Sequence, residues 1–252
     1  MLTVKDVYDY IDGLAPFGTQ DGFDNAGLLV GNPAWEVRGI HVAMDVTTSV
    51  LDEAITTGAN LIVTHHPMMF SARKNLVETD SEGMLLCRMI RREIALIAAH
   101  TNLDMAPGGI NDVLAGTLGL TNVSGEGYLR VGDLPVPMSA ETFARQAGET
   151  LHTAVRLMGR PERKIRRVGV SSGAGSENWE EARAMGADAF FTGEMKHHHA
   201  LAAAEAGMAA LEAGHHATEE PGIFALADAL QNHLNALQYK VHVSKSTARP
   251  YC

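Results

Sequence analysis

Short apolar runs alternate with amphipathic stretches along almost the whole chain. Runs of strand length occupy residues 39–44, 60–64, 94–99, 167–170, 187–192, 208–212 and 238–243. Apolar positions at helical spacing occupy residues 4–14, 48–57, 82–92, 109–118, 139–151, 177–185, 197–206 and 222–236. Strands that alternate with helices in this way predict an α/β fold.

The alternation continues on both sides of residues 129–137, a stretch with two prolines and several charges. We interpret this stretch as the connection into a second lobe, so the sequence predicts two α/β lobes. The first lobe is assigned to residues 1–128 plus 221–252, and the second lobe to residues 129–220.

The net charge limits the kinds of partner that the protein is expected to bind. Acidic residues outnumber basic ones by 30 to 20, which gives a net charge of −10, whereas passive nucleic-acid binding needs a basic surface. A small-molecule substrate is therefore expected, and the basic cluster at residues 160–167 is interpreted as a solvated loop. The chain shows no leader, no apolar run of membrane-spanning length and only two cysteines, which predicts a cytoplasmic protein without membrane or disulfide chemistry.

Histidine is unevenly distributed. Of the twelve histidines, eight fall in four short segments that follow predicted strands: His65 and His66, His100, His197 to His199, and His215 and His216. A single histidine beside an apolar run is often only a core residue. Ligand sites of open α/β sheets, however, lie outside the carboxyl ends of the strands, so these segments are expected to converge.

Five residues form the predicted metal site. His65 and His66 would point to opposite faces of a straight strand, but Pro67 favours a turn that lets each ring address one of two neighbouring ions. His215 and Glu219 share one face if the segment is helical. Asp104 adds an anionic oxygen, although it could instead cap a helix or turn. Imidazole and carboxylate suit Fe, Zn, Mn or Co equally well.

Other residues are weaker candidates. Gly173 and Gly175 lie in a loop after a predicted strand, where backbone N–H groups could bind phosphate, or the loop could be a plain tight turn. We predict that His100 or His197 moves protons and that His198 lines the substrate site. The alternative for the histidine triplet is a solvated helix start.

The segments THHP, HTNLD with GGIND, TGEMKHH and GHHATE resemble the family of GTP cyclohydrolase 1 type 2 homologues, which are NGG-interacting-factor-like metal-binding proteins. FDNAGLLVG near the start is similar too. The resemblance implies two α/β lobes with a dinuclear metal site in the crevice between them, in a compact bacterial form that often assembles as a ring-shaped homohexamer. It also implies that His66 and Asp104 hold one ion, that His65 and His215 hold the other, and that Glu219 contacts both.

These observations favour a dinuclear metal-dependent hydrolase that acts on a nucleotide or a related phosphorylated compound. Two adjacent metal ions suit the hydrolysis of phosphate compounds. The sequence shows no arrangement typical of a catalytic serine or cysteine. The alternative is a non-catalytic metal-binding protein, for metal insertion or storage or as a regulatory scaffold, because its ligands would look the same in sequence.

Overall fold

The computed structural model describes residues 1–249, and the chain divides into two compact units. Unit 1 comprises Met1–Ala106 and the chain from Ile223 onward, and unit 2 comprises Pro107–Gly222. Each unit contains its own sheet with helices, which confirms the predicted α/β class. Among the described residues, no helix is both long and apolar enough to cross a lipid bilayer.

Unit 1 is built on a five-stranded sheet in the order β1-β4-β3-β2-β11. β2, β3, β4 and β11 run parallel to their neighbours, and β1 joins the edge antiparallel to β4. The strands are β1 (Gly27–Val30), β2 (Gly39–Ala43), β3 (Leu61–Thr64), β4 (Ala95–Ala98) and β11 (His242–Lys245). The helices are α1 (Val4–Leu14), α2 (Thr48–Thr57), α3 (Ser81–Arg91), α4 (Thr101–Met105) and the second part of α9 (His215–Ala236).

Local chemistry explains where the first helices begin and end. Thr3 and Asp6 form a reciprocal capping box at the start of α1, which satisfies two backbone donors that the helix cannot. Thr47 caps α2, and Gly58 ends it in the left-handed region with φ 74°. The observed bounds of α1 and α2 are the predicted ones.

Unit 2 is built on a six-stranded sheet in the order β5-β6-β8-β9-β10-β7, in which β8, β9 and β10 are parallel. Its core contains Phe143, Val170 and Phe191, packed between the sheet and helices α5 and α6. The strands are β5 (Thr121–Ser124), β6 (Arg130–Ser139), β7 (Arg156–Met158), β8 (Lys164–Ser171), β9 (Ala189–Thr192) and β10 (Ala209–Glu212). The helices are α5 (Ile110–Thr117), α6 (Ala140–Leu151), α7 (Trp179–Ala184), α8 (His197–Glu205) and the start of α9.

Residues 129–137, predicted as a connection, lie almost entirely in strand β6. The register of β6 on β8 shifts between Asp133 and Met138, which places Pro135 and Pro137 at the irregularity. Proline removes a ladder donor and is tolerated at such a bulge, so two prolines did not exclude a strand here.

The boundary between the units also lies earlier than predicted, at Ala106/Pro107 instead of after residue 128. Helix α5 packs on β6 and β8, and β5 pairs with β6, so both elements belong to the second sheet. The return to unit 1 occurs within α9, at Gly222/Ile223.

Candidate metal centre

The carboxyl ends of three adjacent parallel strands of unit 1 carry polar side chains. Asp45 follows β2, His65 and His66 follow β3, and His100 follows β4. Parallel neighbours end at the same edge of a sheet, so these residues are brought to one place although they are far apart in sequence.

Three histidines of this edge form a tight cluster. One ring nitrogen from each of His65, His66 and His100 lies within 4.8 Å of the others. The ring centroids of His65 and His66 are 4.9 Å apart, and those of His65 and His100 are 5.1 Å apart. The chain turns directly after β3, where the hydroxyl of Thr64 donates to the carbonyl of His66 over 2.8 Å. This turn brings the two adjacent rings together, as the sequence predicted from Pro67.

Asp104 lies on the short helix α4 and is buried beside this cluster. Its Oδ1 is 3.5 Å from Nε2 of His65. The resemblance pairs Asp104 with His66 on one ion, and that pairing stays a prediction, while the structure places Asp104 in contact with His65. The fold explains the contact, since α4 begins directly after β4, whose neighbour β3 leads into His65.

Each ring of the cluster is oriented through Nδ1. For His65, Nδ1 lies 2.9 Å from the carbonyl oxygen of Ala99, which can only accept, so Nδ1 carries the proton. For His66, Nδ1 lies 2.7 Å from Oδ1 of Asp45. A neutral ring whose Nδ1–H is held by an oxygen presents Nε2 as a lone pair, which is the form that binds a metal.

His100 follows the same pattern with Asp24. Its Nδ1 is 2.7 Å from Oδ1 of Asp24, whose other oxygen accepts from the backbone N–H of Thr101. Burial lowers the pKa of His100, the neighbouring His65 lowers it further, and the bond to Asp24 opposes the shift. Burial raises the pKa of Asp24, but hydrogen bonds from Thr101 and His100 outweigh it, so this carboxyl stays ionised.

Unit 2 contributes its own pair of ligand residues at the start of α9. His215 begins the helix and Glu219 lies one turn later, with 3.2 Å between Nε2 of His215 and Oε2 of Glu219. The predicted i, i+4 geometry is therefore present. Nδ1 of His215 lies 3.0 Å from Oε1 of Glu194, so this ring too can donate through Nδ1 and present Nε2.

Gly173 packs directly against this pair. Its φ is 55°, and a Cβ on it would lie 2.1 Å from Oε1 of Glu219 and 3.1 Å from Nε2 of His215. The N–H of Gly173 donates to the hydroxyl of Thr218, and its carbonyl accepts from the N–H of Glu194. The N–H of Gly173 thus bonds to α9 and its carbonyl bonds to Glu194, while phosphate binding by the loop that includes Gly175 stays a prediction.

The histidine triplet lies at the start of α8. His197 lines a cavity of about 390 Å³ together with Met158, Met195 and Leu201. Nδ1 of His199 lies 3.0 Å from the hydroxyl of Ser176, and the rings of His198 and His199 meet edge to face. Within residues 1–249, none of these three joins a group of side chains spaced to hold a metal. Catalysis by His197 and substrate binding by His198 stay predictions.

Sequence reasoning did not identify the carboxylates that orient the rings. Asp24, Asp45 and Glu194 are each bonded to a histidine at least 21 residues away in the chain. Asp45 and Glu194 do follow β2 and β9, so their position at strand ends was the available signal. Asp24 stands within a segment that carries the resemblance, but nothing local linked it to His100.

The sequence profile described as Duf34/NIF3 (NGG1p interacting factor 3) matches residues 2–250, nearly the whole chain. The chain belongs to the Duf34/NIF3 family. The family expected from the histidine-rich motifs is thereby confirmed.

Curated relatives and solved structures agree with this assignment. The GTP cyclohydrolase 1 type 2 homolog of Streptomyces coelicolor is 34% identical, over 100% of this chain and 94% of the relative. The protein of the same name from Clostridium acetobutylicum is 32% identical, over 99% and 98%. The crystal structure of Staphylococcus aureus protein SA1388 is similar with a TM-score of 0.94 at 28% identity, over 100% of this chain and 99% of that one. Reduced HcgD from Methanocaldococcus jannaschii is similar with a TM-score of 0.82 at 27% identity, over 96% and 97%.

The donor set of this Duf34/NIF3 chain fits a divalent transition metal. The cluster of unit 1 offers imidazole nitrogens with a carboxylate beside them, and unit 2 offers one imidazole with one carboxylate. Nitrogen and oxygen donors of this kind suit Zn, Fe, Mn or Co, and each ring has a hydrogen-bond acceptor that fixes its orientation.

Proposed function

We propose that this Duf34/NIF3 protein is a metal-dependent hydrolase that binds two divalent ions and acts on a nucleotide or a related phosphorylated compound. The observation that carries the proposal is the uniform orientation of four histidines. His65, His66, His100 and His215 each direct Nδ1 at an oxygen acceptor and so reserve Nε2 for a ligand.

Five residues would hold the ions. We assign His65 and Asp104 to one ion because their ligand atoms are neighbours, His66 and His215 to the other, and Glu219 to both. Bound divalent ions supply Lewis-acid activation of water and of a phosphoryl oxygen. A carboxylate suits the shared position, since it has two oxygens whereas an imidazole offers one nitrogen to a metal, and the resemblance assigns that position to Glu219.

His100 is the fourth ring, and the five-ligand scheme leaves it for proton transfer. Asp24 holds the Nδ1–H of His100, so Nε2 can accept a proton from water or substrate beside the ligands. The Asp24 carboxylate would also stabilise the protonated ring that results. His100 therefore acts as the general base in this proposal.

Metal analysis and turnover test the proposal together. Natively purified, metal-replete protein should contain about two ions per chain, and His65→Ala and His215→Ala should each lower that value, because each variant removes one proposed ligand. The loaded protein should hydrolyse at least one member of a nucleotide and phosphoester panel, and His100→Gln should lower that rate about 10²-fold or more while the ions remain. His242→Ala is the control, since this histidine is exposed on β11.

Two results would count against the proposal. Saturation at one ion per chain would contradict the two-ion assignment. Two bound ions with rates equal to those of His65→Ala across the whole panel would favour a non-catalytic metal-binding protein instead.

A further inference from the structure

Two phenylalanines of unit 1 are exposed next to the histidine cluster. Phe23 is 64% exposed and Phe70 is 52% exposed, and two large apolar rings exposed side by side are more informative than a single one. Their centroids lie 6.2 Å apart with a tilt of 55° between the rings. They therefore form one apolar surface, and we call this pair the aromatic pair.

The aromatic pair is positioned by bonds that also serve the metal centre. Phe23 directly precedes Asp24, whose carboxylate holds Nδ1 of His100. Phe70 directly follows Met69, whose carbonyl accepts from the side-chain amide of Asn25 over 2.7 Å. These two hydrogen bonds connect the loop of Phe23 to the loop of Phe70 and to His100. The backbone that carries the two exposed rings is therefore held in place.

Phe70 brings the aromatic pair into contact with the cluster itself. Its ring meets the ring of His100 edge to face, with centroids 6.3 Å apart. His100 in turn lies 5.1 Å and 5.5 Å from His65 and His66, again between ring centroids. A compound that places an anionic group at the ligand nitrogens would therefore place an attached ring beside Phe70.

We propose that Phe23 and Phe70 form a stacking surface for a planar heteroaromatic ring of the substrate, such as a nucleobase. This inference rests on the proposed function, because it places the phosphoryl group of the same compound at the metal ligands. Stacking on aromatic side chains tolerates different bases, since every base has a π-face. The pair therefore selects for a planar ring without reading its hydrogen-bonding edge.

The experiment compares a compound with a ring and one without. Metal-loaded wild type, Phe23→Leu, Phe70→Leu and Phe70→Trp are titrated by calorimetry with AMP and with inorganic phosphate. Each leucine variant should bind AMP about ten-fold more weakly, because it retains apolar bulk but loses the π-face. Phosphate affinity and metal content should stay unchanged, and Phe70→Trp should retain AMP binding. Phe224→Leu, the same change on α9, is the matched control.

A second readout separates this inference from the proposed function. In Phe70→Trp, adenosine, which has no phosphate, should quench the fluorescence of the introduced tryptophan whether or not metal is bound. If the chain binds no metal or phosphate but this quenching occurs, the hydrolase proposal fails and the stacking surface stands. Unchanged AMP affinity in both leucine variants, or an equal loss of phosphate affinity, would overturn the stacking surface alone. A changed oligomeric state of the leucine variants in light scattering would also overturn the stacking surface, because it would identify the aromatic pair as an interface between copies of the chain.

Discussion

Gly173 shows how a single residue can control the position of a proposed metal ligand, Glu219. It adopts a left-handed conformation, and no side chain could occupy its Cβ direction without meeting the carboxylate of Glu219. The backbone N–H of Gly173 also donates to the hydroxyl of Thr218 on α9. The position of Glu219 therefore depends on the absence of a side chain at residue 173.

Gly173→Ala should weaken metal binding more than it weakens the fold. The added methyl would lie 2.1 Å from Oε1 of Glu219, so this carboxylate must move from its place beside His215. The left-handed backbone adds a strain of about 1–2 kcal/mol to the free energy of folding. We expect loss of at least one ion per chain, measured by elemental analysis, in a protein whose circular dichroism is still native.

Gly119→Ala is the control for backbone strain. Gly119 has φ 74° in the same unit, and a Cβ on it would meet nothing within 4 Å. It should lose similar stability in denaturant but retain its metal. Equal metal content in the two variants would contradict the role given to the contact between Gly173 and Glu219.

At the scale of whole elements, His41 connects three parts of unit 1. It is buried on β2, with Nε2 3.2 Å from Glu53 of α2 and Nδ1 2.9 Å from the hydroxyl of Ser244 on β11. Burial lowers the pKa of His41 below its ordinary value of 6.5, and Glu53 opposes the shift only in part. The folded chain therefore holds this ring neutral.

Acidification should lower stability through His41. Because its pKa is lower in the folded state, the unfolded chain takes up a proton first as the pH falls below about 6.5. The contribution of His41 is present above that pH and is lost as the pH approaches its folded-state pKa, with a slope of up to ~1.4 kcal/mol per pH unit. Urea unfolding of the metal-free protein from pH 7.5 to 5 measures this slope.

The comparison of His41→Gln with His242→Gln isolates the effect. The first variant should show a shallower slope in this window than wild type, while the second changes only an exposed ring on β11. The pKa of Glu53 is also lowered, since hydrogen bonds from Ser246 and Thr247 outweigh its burial, so its contribution is lost only at lower pH. An unchanged slope in His41→Gln would show that this ring does not control acid stability.

At the scale of the whole molecule, the net charge disfavours nucleic acid as a partner. A chain with net charge −10 gains little from releasing the counterions of a nucleic acid. We expect no binding of a labelled 20-base-pair DNA duplex at about 150 mM salt, up to protein concentrations of ~100 μM, by fluorescence anisotropy. Saturable binding that weakens steeply with added salt would contradict this prediction and would redirect attention to the basic segment at residues 160–167.

The sequence alone determined the features that depend on neighbours along the chain. The bounds of α1 and α2 follow from their caps and from helical spacing, which are local properties. The i, i+4 pair of His215 and Glu219 follows from one helical turn. The clustering of histidines after apolar strands also predicted that His65, His66 and His100 would meet, because parallel strands end at a common edge.

Only the tertiary structure decided features that join distant segments. Asp24 meets His100 across 76 residues, and no local pattern encodes that contact. The contact of Asp104 with His65 likewise depends on the pairing of β4 with β3, because α4 follows β4 and His65 follows β3. Strand β6 forms despite two prolines because its partner β8 accommodates a register shift. Propensity and spacing act over a few residues, whereas strand pairing and hydrogen bonds across a sheet depend on which segments pack together.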